Sequence, residues 1–545
     1  MIAIERQEWA WVWKWTLVAL IASSIPYLLG SALSLPEMQF SGLVYNVQDI
    51  NGYLAKMRQG ARGEWLFHTP YTAEEHTGTL FFLFHRLLGM LAAMTGLSLE
   101  LIYHLARLVF AAGMLAAMYR FFAGFTPHRA IRRVAFLLAA FSGGMGWLLV
   151  LLGQADWLGM LPLDWILPEG YAFLVTYSVP HIALAMTCLL CGILVLRAAC
   201  SRRSAALALA AGALFAVMAL MAAFYVLTPY ALLGVDWLIT AARRRRPDWP
   251  AFWLIAFSAL LPALVIGYNF YYFTFDPFYR VWATQNLALS PHPAHYLMGY
   301  LVIGGLALWG VWTMSPAQRT RWQLLWVWAL LAPALAYLPF GLQRRLIFGV
   351  QNPLCLLAAA GLVRGVALPF GRMRIVKRLL RRPRYSRSGL RRLLIATVVI
   401  STTITNLLLI TGNCITVLQR TTPIFHPRAE LEMLDWLRTH SQPTDTVLCA
   451  YQTGNYAPVR AGNRVFLGIG SETLDIERKR VDVQRFFNLA ESDKWRQSLL
   501  REYGIAYVVI GPDERALGRF DPATTTYLSR VYANDRYTVY QVAQR

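Results

Sequence analysis

Val47-Gln-Asp-Ile-Asn-Gly-Tyr-Leu-Ala-Lys-Met-Arg-Gln-Gly-Ala-Arg-Gly-Glu-Trp65 follows the first long hydrophobic stretch of the chain. Near its start it sets a carboxylate, Asp49, among amide and aromatic side chains just beyond that stretch. A carboxylate at a membrane surface can act as a general base on a substrate presented there. Whether Asp49 is used this way depends on what the rest of the chain builds around it.

The 545 residues are 57% hydrophobic with a mean hydropathy of +0.43, the composition of a polytopic membrane protein. Apolar runs near the roughly 20 residues that cross hydrocarbon recur along the chain. They predict about eleven spans: Trp13–Leu33, Leu99–Tyr119, Val134–Leu152, Val179–Leu196, Ala205–Ala223, Tyr225–Thr240, Ala251–Phe273, Tyr296–Met314, Leu324–Phe340, Leu346–Val363 and Leu393–Asn413. The first has no small-residue cleavage site after it and reads as a retained helix.

A net charge of +22 invites a nucleic-acid reading, but its distribution argues for a membrane. With the N-terminus inside, the inner segments hold Arg120, Arg129, Arg132, Arg133, Arg197, Arg202, Arg203, Arg243 to Arg246 and the dense run from Arg372 to Arg392. The acids there are Glu5, Glu8 and Asp248. This is the positive-inside pattern, which orients a membrane protein without any nucleic acid. The same rule decides Thr79–Thr95: as a span it would turn the Arg120–Arg133 loop outward. It is therefore expected to lie as a helix on the outer surface.

Two domains are expected. Residues 1–414 form the transmembrane domain, with a first outer loop at 34–98. Residues 415–545 form an α/β domain outside the membrane, of normal domain size. Its pattern predicts helices at Pro427–His440, Asp475–Leu489 and Lys494–Tyr503, and strands at Thr446–Ala450, Arg464–Leu467, Ala506–Ile510 and Tyr537–Val542. Cys188 and Cys191 read as packing residues. Cys414 and Cys449 are the only cysteines expected outside, and nothing else supports a bond between them. Gly143, Gly144 and Gly146 read as helix-packing positions.

Polar residues expected on the outer side gather in four places. The first loop holds Asp49, Lys56, Arg58, Glu64, His68, Glu74, Glu75 and His76. The second holds Asp156, Asp164 and Glu169. A third contains Asp276, His292 and His295, and a tight turn carries Arg344 and Arg345. That arginine pair breaks the positive-inside rule. It reads either as two side chains snorkelling to headgroups or as a phosphate clamp, because a guanidinium fork matches phosphate geometry. Arg107 lies two turns into a span, where an arginine has a partner or lines a cavity. His181 opens a span. Asp276 and His292 sit beside prolines, where turn and cap roles compete with binding.

The long first loop with an early acid, the interfacial helix, the many spans and the C-terminal domain together resemble the GT-C superfamily of integral-membrane glycosyltransferases. The stretch Val47–Trp65 looks like the bacterial form of the superfamily's first loop, where an acidic residue precedes a short helix ending in a Gly-x-Trp turn. Asp435-Trp-Leu-Arg, Ala461-Gly-Asn-Arg-Val-Phe-Leu-Gly and Ser471-Glu-Thr-Leu-Asp475 look like the tail of bacterial relatives. The resemblance implies a sugar donor on a polyprenyl phosphate, Asp49 as catalytic base and inversion at the anomeric carbon. Within this reading Arg344 and Arg345 would hold the leaving phosphate as guanidinium donors, with Lys56, Arg107, His181, Asp276 and His292 as further substrate-binding candidates. The acceptor would be a glycan, lipid or protein outside the membrane. Many members carry two adjacent acids, whereas Gln48 precedes Asp49 here. One carboxylate is a poor divalent site, so no cofactor is assigned and a metal is not favoured. The tail lacks a Trp-Trp-Asp motif, which argues against the N-glycosylation type of oligosaccharyltransferase.

Two other classes share the many-span plan. A lipid or glycan transporter would place polar residues near the bilayer midplane, often on an inverted repeat. A ligase or polymerase of lipid-linked glycans would rely on outer arginines and a histidine.

Overall fold

The computed structural model describes residues 3–370, 374, 378, 380–382 and 386–543. Of the expected inner basic run, Arg372, Lys377 and Arg384 lie outside the described residues. The chain is mostly helical, with a small C-terminal sheet. It divides into two compact units, one of residues 1–25, 106–270 and 287–412 and the other of residues 26–105, 271–286 and 413–545.

All eleven apolar stretches carry helix. Among the described residues, seven helices are long and apolar enough to cross a membrane. Two pairs, Trp249–Ser258 with Leu260–Phe275 and Arg387–Ser401 with Ile404–Gln419, raise the number to nine if each pair is one span bent by 47° and 46°. The remaining two, Ala205–Met221 and Gln323–Leu335, are apolar but shorter. At about 1.5 Å per residue, Gln323–Leu335 reaches only about 20 Å of a core about 30 Å thick. Pro333 lies in its last turn, where the helix ends.

Within the first unit, the stretch expected as Val134–Leu152 is broken. Helices Arg129–Phe141 and Gly146–Leu151 flank an irregular step at residues 142–145. Gly143 and Gly144 fall in that step and not on a helix. Breaking a helix leaves amides without partners. Asp164 takes two of them: its Oδ2 accepts from Gly144 N at 2.8 Å and Gly146 N at 3.2 Å, and from Thr405 Oγ1 at 2.7 Å. Burial pushes the Asp164 carboxyl up, against the pull of these donors.

The second unit joins the first loop to the C-terminal segment. Strand β1 (Met38–Phe40) pairs antiparallel with β2 (Phe425–Pro427). A five-stranded sheet follows, built from β3 (Thr446–Leu448), β4 (Arg464–Val465), β5 (Ile505–Ile510), β6 (Leu528–Ala533) and β7 (Thr538–Val542), in the order β4-β3-β5-β7-β6. Its first three strands run parallel and the β5-β7-β6 part is antiparallel. Leu448, Phe466, Phe486, Leu499 and Val508 centre its core, and Ala73 from the first loop joins them. Helices Val47–Ala61 and Leu83–Thr95 cross with Gly60 and Gly89 at the contact. A Cβ on either would sit within 2.0 Å of a carbonyl oxygen of the other helix, so only glycine permits this approach. On Leu83–Thr95 the two basic side chains, His85 and Arg86, are buried. Arg86 donates to Thr79 O at 3.0 Å and His85 stacks on Tyr53, while Leu87, Leu91 and Met94 face outward.

Candidate functional site

Asp49 stands in the first turn of helix Val47–Ala61. Asn46 enters the helix in the left-handed region (φ 48°), which asparagine tolerates. Its side chain does not cap the backbone; Nδ2 donates to Asp49 Oδ2 at 2.8 Å. The carboxylate is exposed, and Oδ1 accepts no hydrogen bond among the described residues. The first turn leaves backbone N–H groups free and favours negative charge there.

The rest of this helix is clamped. Asn51 Nδ2 donates to Asn455 Oδ1 at 2.8 Å, and Arg58 Nε donates to Val459 O at 2.9 Å. Lys56 is buried, forms an ion pair with Glu472 and lies 4.3 Å from the centre of the Phe82 ring. Glu472 also accepts from Thr69 Oγ1 at 3.0 Å. The structure thus commits the Lys56 ammonium to an internal carboxylate. What it leaves open at the start of the helix is Asp49. A fixed helix carrying an accessible carboxylate is the arrangement a positioned base requires.

In the same unit Asp276 caps helix Pro277–Gln285, accepting from Phe278 N at 2.9 Å and Tyr279 N at 3.2 Å. His76 Nε2 accepts from Thr69 N at 2.9 Å, which leaves Nδ1–H to donate to Glu74 O at 2.9 Å. Both nitrogens are used by the neutral ring, which stacks on Phe278. Burial is the main cause that lowers the His76 pKa to about 4.

The arginine pair belongs to the first unit. Arg345 Nη1 lies 3.6 Å from Glu169 Oε1, and the same oxygen accepts from Tyr225 OH at 3.1 Å. Arg344 is held by its backbone N–H, which donates to Ala288 O at 3.0 Å. Its Nη1 reaches Met160 Sδ at 3.6 Å, and its buried Nε has no hydrogen-bond partner among the described residues. Arg107 is fully engaged inside the unit: it donates to Thr176 O at 2.9 Å, Ser24 Oγ at 3.0 Å and Ser23 Oγ at 3.2 Å. His181 is buried in the first turn of helix Pro180–Arg202. His292 is exposed and its Nδ1 accepts from Ala294 N at 3.3 Å.

Sequence reasoning missed Glu472 and Glu169 as partners of Lys56 and Arg345. A buried lysine calls for an acid, but nothing local to Lys56 says which. All six cysteines are free thiols. Among the described residues no group of three or more His, Cys, Asp or Glu side chains is placed to hold a metal ion.

No protein-family model matches the chain, and no curated protein matches it. Solved structures do. Arabinofuranosyltransferase AftD from mycobacteria superposes with a TM-score of 0.58 at 17% identity, over 100% of this chain and 40% of that one. ArnT from Cupriavidus metallidurans bound to undecaprenyl phosphate gives 0.53 at 13% identity, over 98% of both chains. The Archaeoglobus fulgidus oligosaccharyltransferase in its apo form gives 0.51 at 12% identity, over 97% of this chain and 74% of that one. At these identities the likeness is one of fold.

Proposed function

Because the chain has the GT-C fold, we propose that it is a membrane glycosyltransferase that moves a sugar from a polyprenyl phosphate to an acceptor outside the membrane. The observation that carries this reading is Asp49, an exposed carboxylate in the first turn of a helix whose other contacts hold it fixed. The donor class is supported by the likeness to ArnT, which was solved with undecaprenyl phosphate bound.

In this mechanism Asp49 takes the proton from an acceptor hydroxyl. The hydroxyl oxygen attacks the anomeric carbon and the bond from that carbon to the phosphate oxygen breaks. Polyprenyl phosphate leaves from the opposite face, so the anomeric centre inverts. Arg344 and Arg345 bind the phosphate, where guanidinium donors stabilise the charge that develops on the leaving oxygen. Lys56, paired with Glu472, fixes the helix that carries Asp49. The protein resides in the cell membrane with its N-terminus in the cytoplasm and its C-terminal segment outside, an orientation supported by the distribution of arginines.

The test is transfer itself. Purified protein incubated with labelled sugars on polyprenyl phosphate and an envelope extract should release polyprenyl phosphate and give a labelled, inverted glycoside. Movement of intact lipid-linked sugar across a vesicle membrane without bond cleavage would contradict the proposal.

A further inference from the structure

The second unit contains a cleft of about 440 Å³ that the mechanism above does not use. Arg62, Glu64, Trp65 and His68 of the first loop form one side of it, and Thr444 and Arg464 of the C-terminal segment form the other. Its size is within the roughly 300–1,000 Å³ of small-ligand sites.

Three features of the cleft point the same way. The first is Trp65, which is 60% exposed. Its backbone is fixed from both sides. Helix Val47–Ala61 ends in a two-bond turn, with Gly63 N donating to Gly60 O at 2.9 Å and Glu64 N to Gln59 O at 3.1 Å. Gly63 holds φ at +83°, the left-handed position such a turn needs. On the other side Phe67 bridges to Thr79 through 2.7 and 3.1 Å bonds. An indole exposed on a fixed stretch of backbone costs apolar exposure. It offers a flat face of the kind that stacks on the C–H face of a sugar.

The second feature is Arg464. Arg62 is committed to Glu64 at 2.7 Å and to Gly462 O at 2.9 Å. Arg464 has no ion pair and no side-chain hydrogen bond among the described residues. Its charge is felt in the wall nonetheless. Burial first, and Arg464 second, hold His68 below the ordinary histidine range. The cleft therefore has one uncommitted positive charge. The third feature is a mixed lining, in which the Glu64 carboxylate and the Thr444 hydroxyl can meet sugar hydroxyl groups beside the apolar surfaces of Leu66, Pro70 and Pro443.

We propose that this cleft binds an anionic glycan, with Trp65 stacking on a sugar ring and Arg464 pairing with a carboxylate or phosphate on the sugar. The inference deepens the transferase reading by giving the acceptor a chemical class, and it rests on that reading only for the word acceptor.

The test measures binding without donor or turnover, on the full-length protein in detergent. The probes are an oligogalacturonate, its carboxyl-reduced neutral counterpart and a phosphorylated neutral oligosaccharide, titrated by calorimetry. At least one anionic probe should bind tenfold or more tighter than the neutral one, and which of the two does so identifies the anion. Arg464→Gln should remove that preference, and Trp65→Ala should weaken every probe about tenfold. Equal binding of all three probes, no binding, or indifference to both substitutions would overturn the proposal. So would quenching of a fluorophore on Trp65→Cys by a bilayer-embedded nitroxide, since that places the residue in lipid. Transfer that persists when glycan binding fails removes this inference and leaves the transferase; glycan binding without transfer does the reverse.

Discussion

The ammonium of Lys56 meets the carboxylate of Glu472 across 416 positions of sequence, and both groups are buried. Through this contact and the Asn51–Asn455 bond, the helix that begins beside Asp49 is built into the same unit as the C-terminal sheet. Removing one member of a buried pair leaves an uncompensated charge, which costs about 3–5 kcal/mol. Lys56→Met should lower the unfolding temperature of the purified protein sharply. Lys56→Met combined with Glu472→Leu should recover most of the loss, because no charge is then stranded. A double variant no more stable than the single one would show that the pair does more than neutralise itself.

The arginine pair makes a separate prediction. Arg344→Ala with Arg345→Ala should weaken polyprenyl-phosphate binding by about tenfold or more per arginine, given roughly 1.5–3 kcal/mol for each charge-assisted bond. Unfolding temperature should fall as well, because the buried Glu169 carboxylate loses its arginine, so affinity is read at a temperature where the variant stays folded. Unchanged lipid-phosphate affinity would return both residues to headgroup contact.

His76 predicts a pH dependence. Its pKa in the folded protein is about 4, below the ordinary 6.5. Between these values the unfolded chain binds more protons than the folded one, so stability is full above about pH 6.5 and is lost as pH falls toward 4. The loss is at most about 3 kcal/mol for a difference of this size. His68, lowered in the same direction, adds to it. His76→Gln should flatten the fall in unfolding temperature between pH 7 and 4.5. An unaltered slope in that variant would assign the titration to other groups.

The orientation is tested by labelling. Ala490→Cys and Ser388→Cys are both exposed positions. In a background with Cys414 and Cys449 replaced by serine, an impermeant thiol reagent added to intact cells should modify the first and spare the second. The opposite pattern would invert the arrangement drawn from the arginines.

Hydrophobic run length and charge bias were enough to locate a helix at every expected span, because both act over whole segments. Breaks within those segments were not legible. The step at residues 142–145 depends on Asp164 and Thr405, which lie far off in sequence. In the C-terminal segment the helices at Arg428–His440, Ile476–Phe487 and Asp493–Glu502 match the expected ones closely. Helix Tyr451–Arg460 was hidden, because Gly454 and Pro458 read as breakers. Gly454 is there for contact: a Cβ would lie 1.9 Å from Leu467 O. Edge strand Leu528–Ala533 was missed for want of a clear alternation. In the site, residue type pointed to Asp49 and to the arginines. Partners such as Glu472 and Glu169 carry no local signature.

The central claim is that Asp49 removes a proton. Asp49→Asn keeps the size of the side chain but removes basicity, and the lost charge costs the helix start only about 0.3–1 kcal/mol. Turnover should be measured on purified protein with a polyprenyl-phosphate sugar and acceptor, beside binding of polyprenyl phosphate. The account predicts a fall in turnover of about 10²–10⁴-fold, the usual contribution of a general base, with lipid-phosphate binding nearly unchanged. Near-normal turnover in Asp49→Asn would contradict it.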